Sequence, residues 1–101
     1  MRKLDITDYV VDADGQEVMY QVKKSIVAIL FHPDLKLTAY QLLETNKLAE
    51  KISKGDDSVL LEEAEWSTLK KAIDTVKGYS MNDVEFVERV LDCPEVNVAE
   101  A

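Results

Sequence analysis

At 101 residues the chain has room for one domain with one core and little space for a deep catalytic cavity. Its apolar share of 47% is that of a globular protein, and no apolar run approaches the roughly 18–20 residues needed to cross a bilayer. The net charge of −8, concentrated in residues 51–101, repels nucleic-acid phosphates and anionic lipid, so neither nucleic acid nor membrane is an expected partner.

The N-terminus, MRKLDITDY, has basic residues but no apolar stretch behind them, so no signal peptide is expected. The single cysteine, Cys93, cannot close a disulfide within the chain, which fits a reducing, cytoplasmic location. Residues 8–22, DYVVDADGQEVMYQV, alternate, turn and alternate again. They predict a β-hairpin over about residues 5–22, with Val18, Tyr20 and Val22 on one face and Met19 and Gln21 on the other. On the first strand, Ile6 should share a face with Val10, and Tyr9 with Val11. The segment DADG supplies the turn, because Asp tolerates unusual dihedrals and Gly15 can take positive φ. A two-stranded hairpin is marginal in water, so it is expected to lie on helices or on another chain.

Helices are predicted from there to about residue 92. In KKSIVAILFHP, Ile26, Val27, Ile29 and Leu30 are apolar around more than one face, which predicts a short buried helix stopped by Pro33. Thr38 and Gln41 form a capping box for the next helix. Its expected stripe is Ala39, Leu42, Leu43, Ala49 and Ile52, with Gly55 at its C′ position. The segment DDSVLLEEAEWSTLKKAIDTVKG has helix-start chemistry at Asp56, Asp57 and Ser58, with Val59–Leu61 able to stay extended before the helix begins. Trp66, Leu69, Ile73 and Val76 recur on one helical face, and Gly78 closes the element. In the last helix Ser80 caps, with Asp83 three residues on. Val84, Val87, Val90 and Leu91 should face inward with Phe86 flanking them, and Pro94 should stop the helix. The tail, residues 95–101, alternates at Val96 and Val98. Glu95 to Val98 is therefore expected to add to a hairpin edge, within the chain or on a neighbour.

Residues able to carry chemistry are few. His32 and Cys93 are each the sole representative of their type, too few for a structural zinc site. His32 reads as a helix-end residue and Cys93 as a small buried hydrophobe. Aligning DADG with a calcium loop puts Val10 at the first ligand position and Gln21 at the twelfth, so the pattern fails at both ends. Glu62, Glu63 and Glu65 sit at a helix start, where they match the dipole and offer an acidic face. Lys47, Lys51 and Lys54 form a basic stripe that lacks arginines and interleaved aromatics, which is a poor nucleic-acid signature. The phosphate-binding glycine motifs and the nucleophile elbow are missing. No metal, no cofactor and no catalytic residues are expected.

Three stretches, YQVKKSIVAILFHPDLKLTAYQLLETNKLAEKI, VLLEEAEWSTLKKAIDTVKG and NDVEFVERVLDCPEV, resemble small acidic proteins encoded among the morphogenesis genes of tailed bacteriophages and prophages. That resemblance implies a virion-assembly or structural accessory protein. The sequence reading is thus a single α+β domain over residues 1–101, an N-terminal hairpin packed on about four short helices. Its expected role is non-enzymatic, through a protein partner or self-association. The candidate surface residues are Glu62, Glu63, Glu65, Glu95, Val96 and Val98. The alternative is an acidic regulator or inhibitor that binds a basic host protein surface.

Overall fold

The structure, a computed structural model, describes residues 1–97. In chain order its elements are β1 (Arg2–Asp5), β2 (Tyr9–Ala13), β3 (Gln16–Tyr20), α1 (Val22–Leu30), a 3₁₀ turn (Pro33–Leu35), α2 (Ala39–Ser53), β4 (Ser58–Leu61), α3 (Glu63–Thr75), a second 3₁₀ turn (Met81–Asp83) and α4 (Val84–Leu91). The class is α+β, with four helices and an N-terminal hairpin as expected. The last predicted tail residues, from Val98, lie outside the described residues.

The hairpin pairs Tyr9 with Tyr20, Val11 with Val18 and Ala13 with Gln16. Asp14 (φ 53°) and Gly15 (φ 81°) both take positive φ, the two-residue turn whose twist matches the flanking strands. Ile6 does not share a face with Val10: Ile6 is buried and Val10 exposed. The strand is broken between them, because the Asp5 carboxylate accepts the Thr7 N–H at 2.9 Å and the Thr7 hydroxyl at 2.6 Å. Val22, expected on the hairpin, is the first residue of α1 and is fully buried.

A second antiparallel pair, unforeseen from the sequence, joins β1 to β4 with Leu4 opposite Val59 and Arg2 opposite Leu61. The tail completes this layer. Lys3 N–H donates to the Pro94 carbonyl at 3.0 Å, Val96 N–H donates to the Met1 carbonyl at 2.9 Å, and Arg2 bridges to Glu95. The tail therefore extends β1 and not the hairpin edge. The last helix delivers the chain past β1, where the tail satisfies the outward Met1 carbonyl and Lys3 N–H that β4 leaves free. On β2 the Asp12 carbonyl is already met by the Asn82 side chain at 3.3 Å.

The helices meet over one hydrophobic cluster that includes Leu4, Ile26, Leu30, Ile52, Leu61, Leu69, Phe86 and Val90. The Thr38–Gln41 capping box forms as expected. The inward stripe of α2 is Thr45, Leu48, Ala49 and Ile52, while Ala39, Leu42 and Leu43 are exposed. The first turn of α2 overhangs the core, so its apolar residues have nothing to pack on. In α4 the inward residues are Phe86 and Val90; Val84 and Leu91 face solvent and Val87 is half-buried. The hairpin decides this rotation. The Tyr9 hydroxyl donates to the Asn82 carbonyl at 2.8 Å and accepts the Phe86 N–H at 3.2 Å. Tyr20 stacks on Tyr9 at 4.7 Å, lies 6.0 Å from the Phe86 ring and donates its hydroxyl to Asp83.

Burial is the chief cause raising Tyr9, Tyr20 and Tyr79 above the ordinary phenol value of 10.0, and nearby carboxylates push the same way. Above that value the unfolded chain loses phenolic protons that the folded chain retains. Stability is therefore fully present below about pH 10 and falls as pH rises further. Tyr20→Phe should flatten this alkaline limb in urea titrations at pH 9 to 11.

Gly55 follows α2 as expected, but positive φ is not the reason it is glycine. A Cβ there would lie 2.9 Å from Ile6 Cδ1 and 3.2 Å from the Ser58 carbonyl oxygen. The position is a close approach of the α2–β4 turn to the buried Ile6. Gly55→Ala should cost about 1–2 kcal/mol by forced repacking, read as a lower urea midpoint with an unchanged slope.

Candidate interaction surfaces

The acidic residues singled out from the sequence are brought together, but mainly to serve the fold. Glu65 accepts the Glu62 N–H at 2.8 Å, closing the capping box of α3, and pairs with Lys51 at 2.7 Å. Glu63 and Glu95 flank Arg2, at 2.8 and 3.4 Å. The same guanidinium donates to the Cys93 carbonyl at 2.8 Å and lies 3.9 Å over the Trp66 ring. Trp66 in turn donates its indole N–H to the Val90 carbonyl at 2.8 Å. Arg2 thus ties β1, α3, α4 and the tail at one point, and Val96 serves that joint through its backbone. Val98 lies outside the described residues.

Arg89, the other arginine, does the same on the opposite side. It donates to the Thr7 carbonyl and to Glu85, each at 2.6 Å, and lies 5.0 Å over the Tyr9 ring. Burial pulls the Asp5 carboxyl upward, but its hydrogen bonds from Thr7 and the Arg89 charge outweigh that and hold it below the usual carboxylate value. Both arginines are thereby engaged in holding elements together. In the lysine stripe, Lys51 is bound to Glu65.

His32 uses Nδ1 to accept the Asp34 N–H at 3.1 Å, capping the first 3₁₀ turn. Cys93 is buried, which pushes its thiol above the ordinary value despite Arg2 nearby. A thiol so placed is a packing group, since nucleophilic cysteines are exposed and lowered. Among the described residues no group of three or more His, Cys, Asp or Glu side chains could hold a metal ion, and no helix is long and apolar enough to cross a membrane.

Three surface features remain. The first is an apolar cleft of about 390 Å³ between α2 and α3, lined by Leu30, Leu35, Leu37, Tyr40, Thr45 and Ala72 among others. Tyr40 is 84% exposed and Leu43, one turn further along α2, is 61% exposed. The second is an open groove of about 700 Å³ beside α4, where Asp57, Glu88 and Asp92 line a wall without ion-pair partners among the described residues. The third is the exposed outer part of the hairpin. Val10 (58%) and Met19 (54%) are exposed on one face and Val18 (42%) on the other.

The sequence reading missed Tyr40 and assigned Leu43 to the core. A signal was present: Thr45, Leu48, Ala49 and Ile52 fit a 3.6-residue stripe that leaves both Tyr40 and Leu43 off its face. The buried threonine hid it, because Thr45 is not counted among apolar residues. The chain matches no protein-family model, no curated protein and no solved structure.

Proposed function

We propose that this protein is a non-catalytic interaction module, a virion-assembly or structural accessory component of a tailed bacteriophage or prophage, acting in the host cytoplasm. The observation that carries the interaction reading is the apolar cleft with the exposed Tyr40 in its wall, to which Leu43 adds exposed apolar surface on α2 outside the cleft. A small acidic protein gains solubility from charged surface, and a large aromatic left outside beside a concave apolar site is a common feature of protein contacts. The assignment to phage morphogenesis is supported by the sequence resemblance alone.

The second reading, an acidic regulator that binds a basic host protein, is favoured by the unpaired carboxylates Asp57, Glu88 and Asp92 along the α4 groove. One experiment separates the two. The tagged full chain is used to capture proteins from cells expressing the genes that flank its own. Recovery of a portal, capsid or tail component, lost with Tyr40→Ser/Leu43→Ser while the circular dichroism spectrum is retained, is the outcome expected for an assembly role. Recovery of a basic host protein, lost instead with Glu88→Lys/Asp92→Lys, replaces it with the regulator reading. No partner, or capture that neither variant affects, sinks both.

A further inference from the structure

The edges of the small sheets are treated unequally. The outer edge of β1 is covered by the tail, through Lys3 N–H to Pro94 and Val96 N–H to Met1. On β2, the Asp12 carbonyl receives the Asn82 amide. β4 is only four residues long, and short edges are themselves protected. β3 has none of these devices. It contains no lysine, proline or bulge, its one charge is Glu17, and four of its five residues, Gln16 to Met19, are exposed while Tyr20 packs on the core.

The hydrogen-bond alternation identifies the groups that are open. In a hairpin with a two-residue turn the closing pair, here Ala13 and Gln16, is hydrogen-bonded, and so are Val11–Val18 and Tyr9–Tyr20. Glu17 and Met19 therefore turn their N–H and C=O groups outward along the free edge of β3. We propose that this edge pairs with the same edge of a second copy, forming an antiparallel two-fold dimer with the strand order β2–β3–β3–β2 across the two chains. The inference is independent of the cleft beside Tyr40 and refines the interaction reading by naming self-association as one of its contacts.

Three observations fit a second copy in particular. With Val18 on the two-fold axis, Glu17 of one chain exchanges hydrogen bonds with Met19 of the other, so no like charges face each other. The pattern of outward groups, two residues either side of one central residue, is the pattern such an axis requires. The antiparallel register also carries the acidic tip of each hairpin, Asp12 and Asp14, towards the start of the other chain's α1. That helix start already holds one carboxylate, Asp8, which accepts the Val22 N–H at 3.0 Å, and the exposed Lys24 of its first turn is the cation the tip would meet. Asp12, Asp14 and Lys24 have no ion pair among the described residues of their own chain.

Sedimentation equilibrium of the full chain over a wide concentration range tests the proposal. A monomer–dimer equilibrium is expected. Met19→Pro removes an outward N–H while sparing the hairpin's own ladder, and should weaken dimerisation at least tenfold by order of magnitude. If that variant loses its circular dichroism signal, the charge variants stand in for it. Lys24→Glu should weaken the dimer roughly three- to tenfold, and adding Asp12→Lys to the same chain should restore it. A chain that stays monomeric throughout overturns the proposal. So does a folded Met19→Pro that dimerises like the parent, a Lys24→Glu defect that Asp12→Lys does not rescue, or an edge that binds a different protein's strand and never its own. A monomeric chain that still captures a partner through Tyr40 and Leu43 would overturn the dimer and leave the proposed function intact.

Discussion

Phe86→Ala should lower the unfolding free energy by about 3–5 kcal/mol, the usual cost of removing a buried phenylalanine. The ring is fully buried at the junction of α4 with the hairpin, beside Tyr20 and one turn from the buried Val90. Its loss removes both the core contact and the surface on which Tyr20 rests, and α4 is too short to close the space by shifting alone. Urea denaturation followed by far-ultraviolet circular dichroism checks this. Val84→Ala and Leu91→Ala in the same helix provide the contrast, since both residues are exposed and should change stability by less than about 1 kcal/mol. If Leu91→Ala cost as much as Phe86→Ala, the rotation of α4 described above would be wrong.

Arg2→Ala should cost about 2–3 kcal/mol, more than its two ion pairs account for. Glu63 and Glu95 are each more than half exposed, and such pairs contribute about 0–1 kcal/mol. The larger share comes from the charged hydrogen bond to the Cys93 carbonyl and from the stack on Trp66. Glu63→Gln and Glu95→Gln should therefore be mild, while Arg2→Ala is not. Deleting residues 95–101 should also lower the melting temperature, because the tail pairs with β1 through Val96 N–H. Deletion and Arg2→Ala share one joint, so combining them should cost less than the two separate losses together. Strict additivity would show that Arg2 does not hold the tail.

Both predictions concern residues whose roles were only partly legible in the sequence. The capping boxes at Thr38 and Ser80, the stop at Pro33 and the hairpin turn at Asp14–Gly15 were readable, because each depends on groups within about four residues of one another. The acidic start of α3 was readable for the same reason, although its carboxylates proved to be committed to Arg2, Lys51 and the cap.

What only the tertiary structure decided involves groups far apart in the chain. The β1–β4 ladder pairs Arg2 with Leu61, and the tail returns Glu95 to Arg2. Strand alternation in four residues cannot announce a partner at that distance. The rotation of α4 is the clearest case. Val84, Val87 and Leu91 form as good an apolar stripe as Phe86 and Val90, and helical periodicity does not choose between them. Tyr9 and Tyr20 choose, by presenting two rings and two hydroxyls to one side of the helix start. The overhanging first turn of α2 follows the same rule, since Leu43 has helix-compatible spacing but no element above it. A chain's own periodicity determines which elements form. Which face of each is buried depends on the surface that another element brings to it, and on how many polar groups that contact can satisfy.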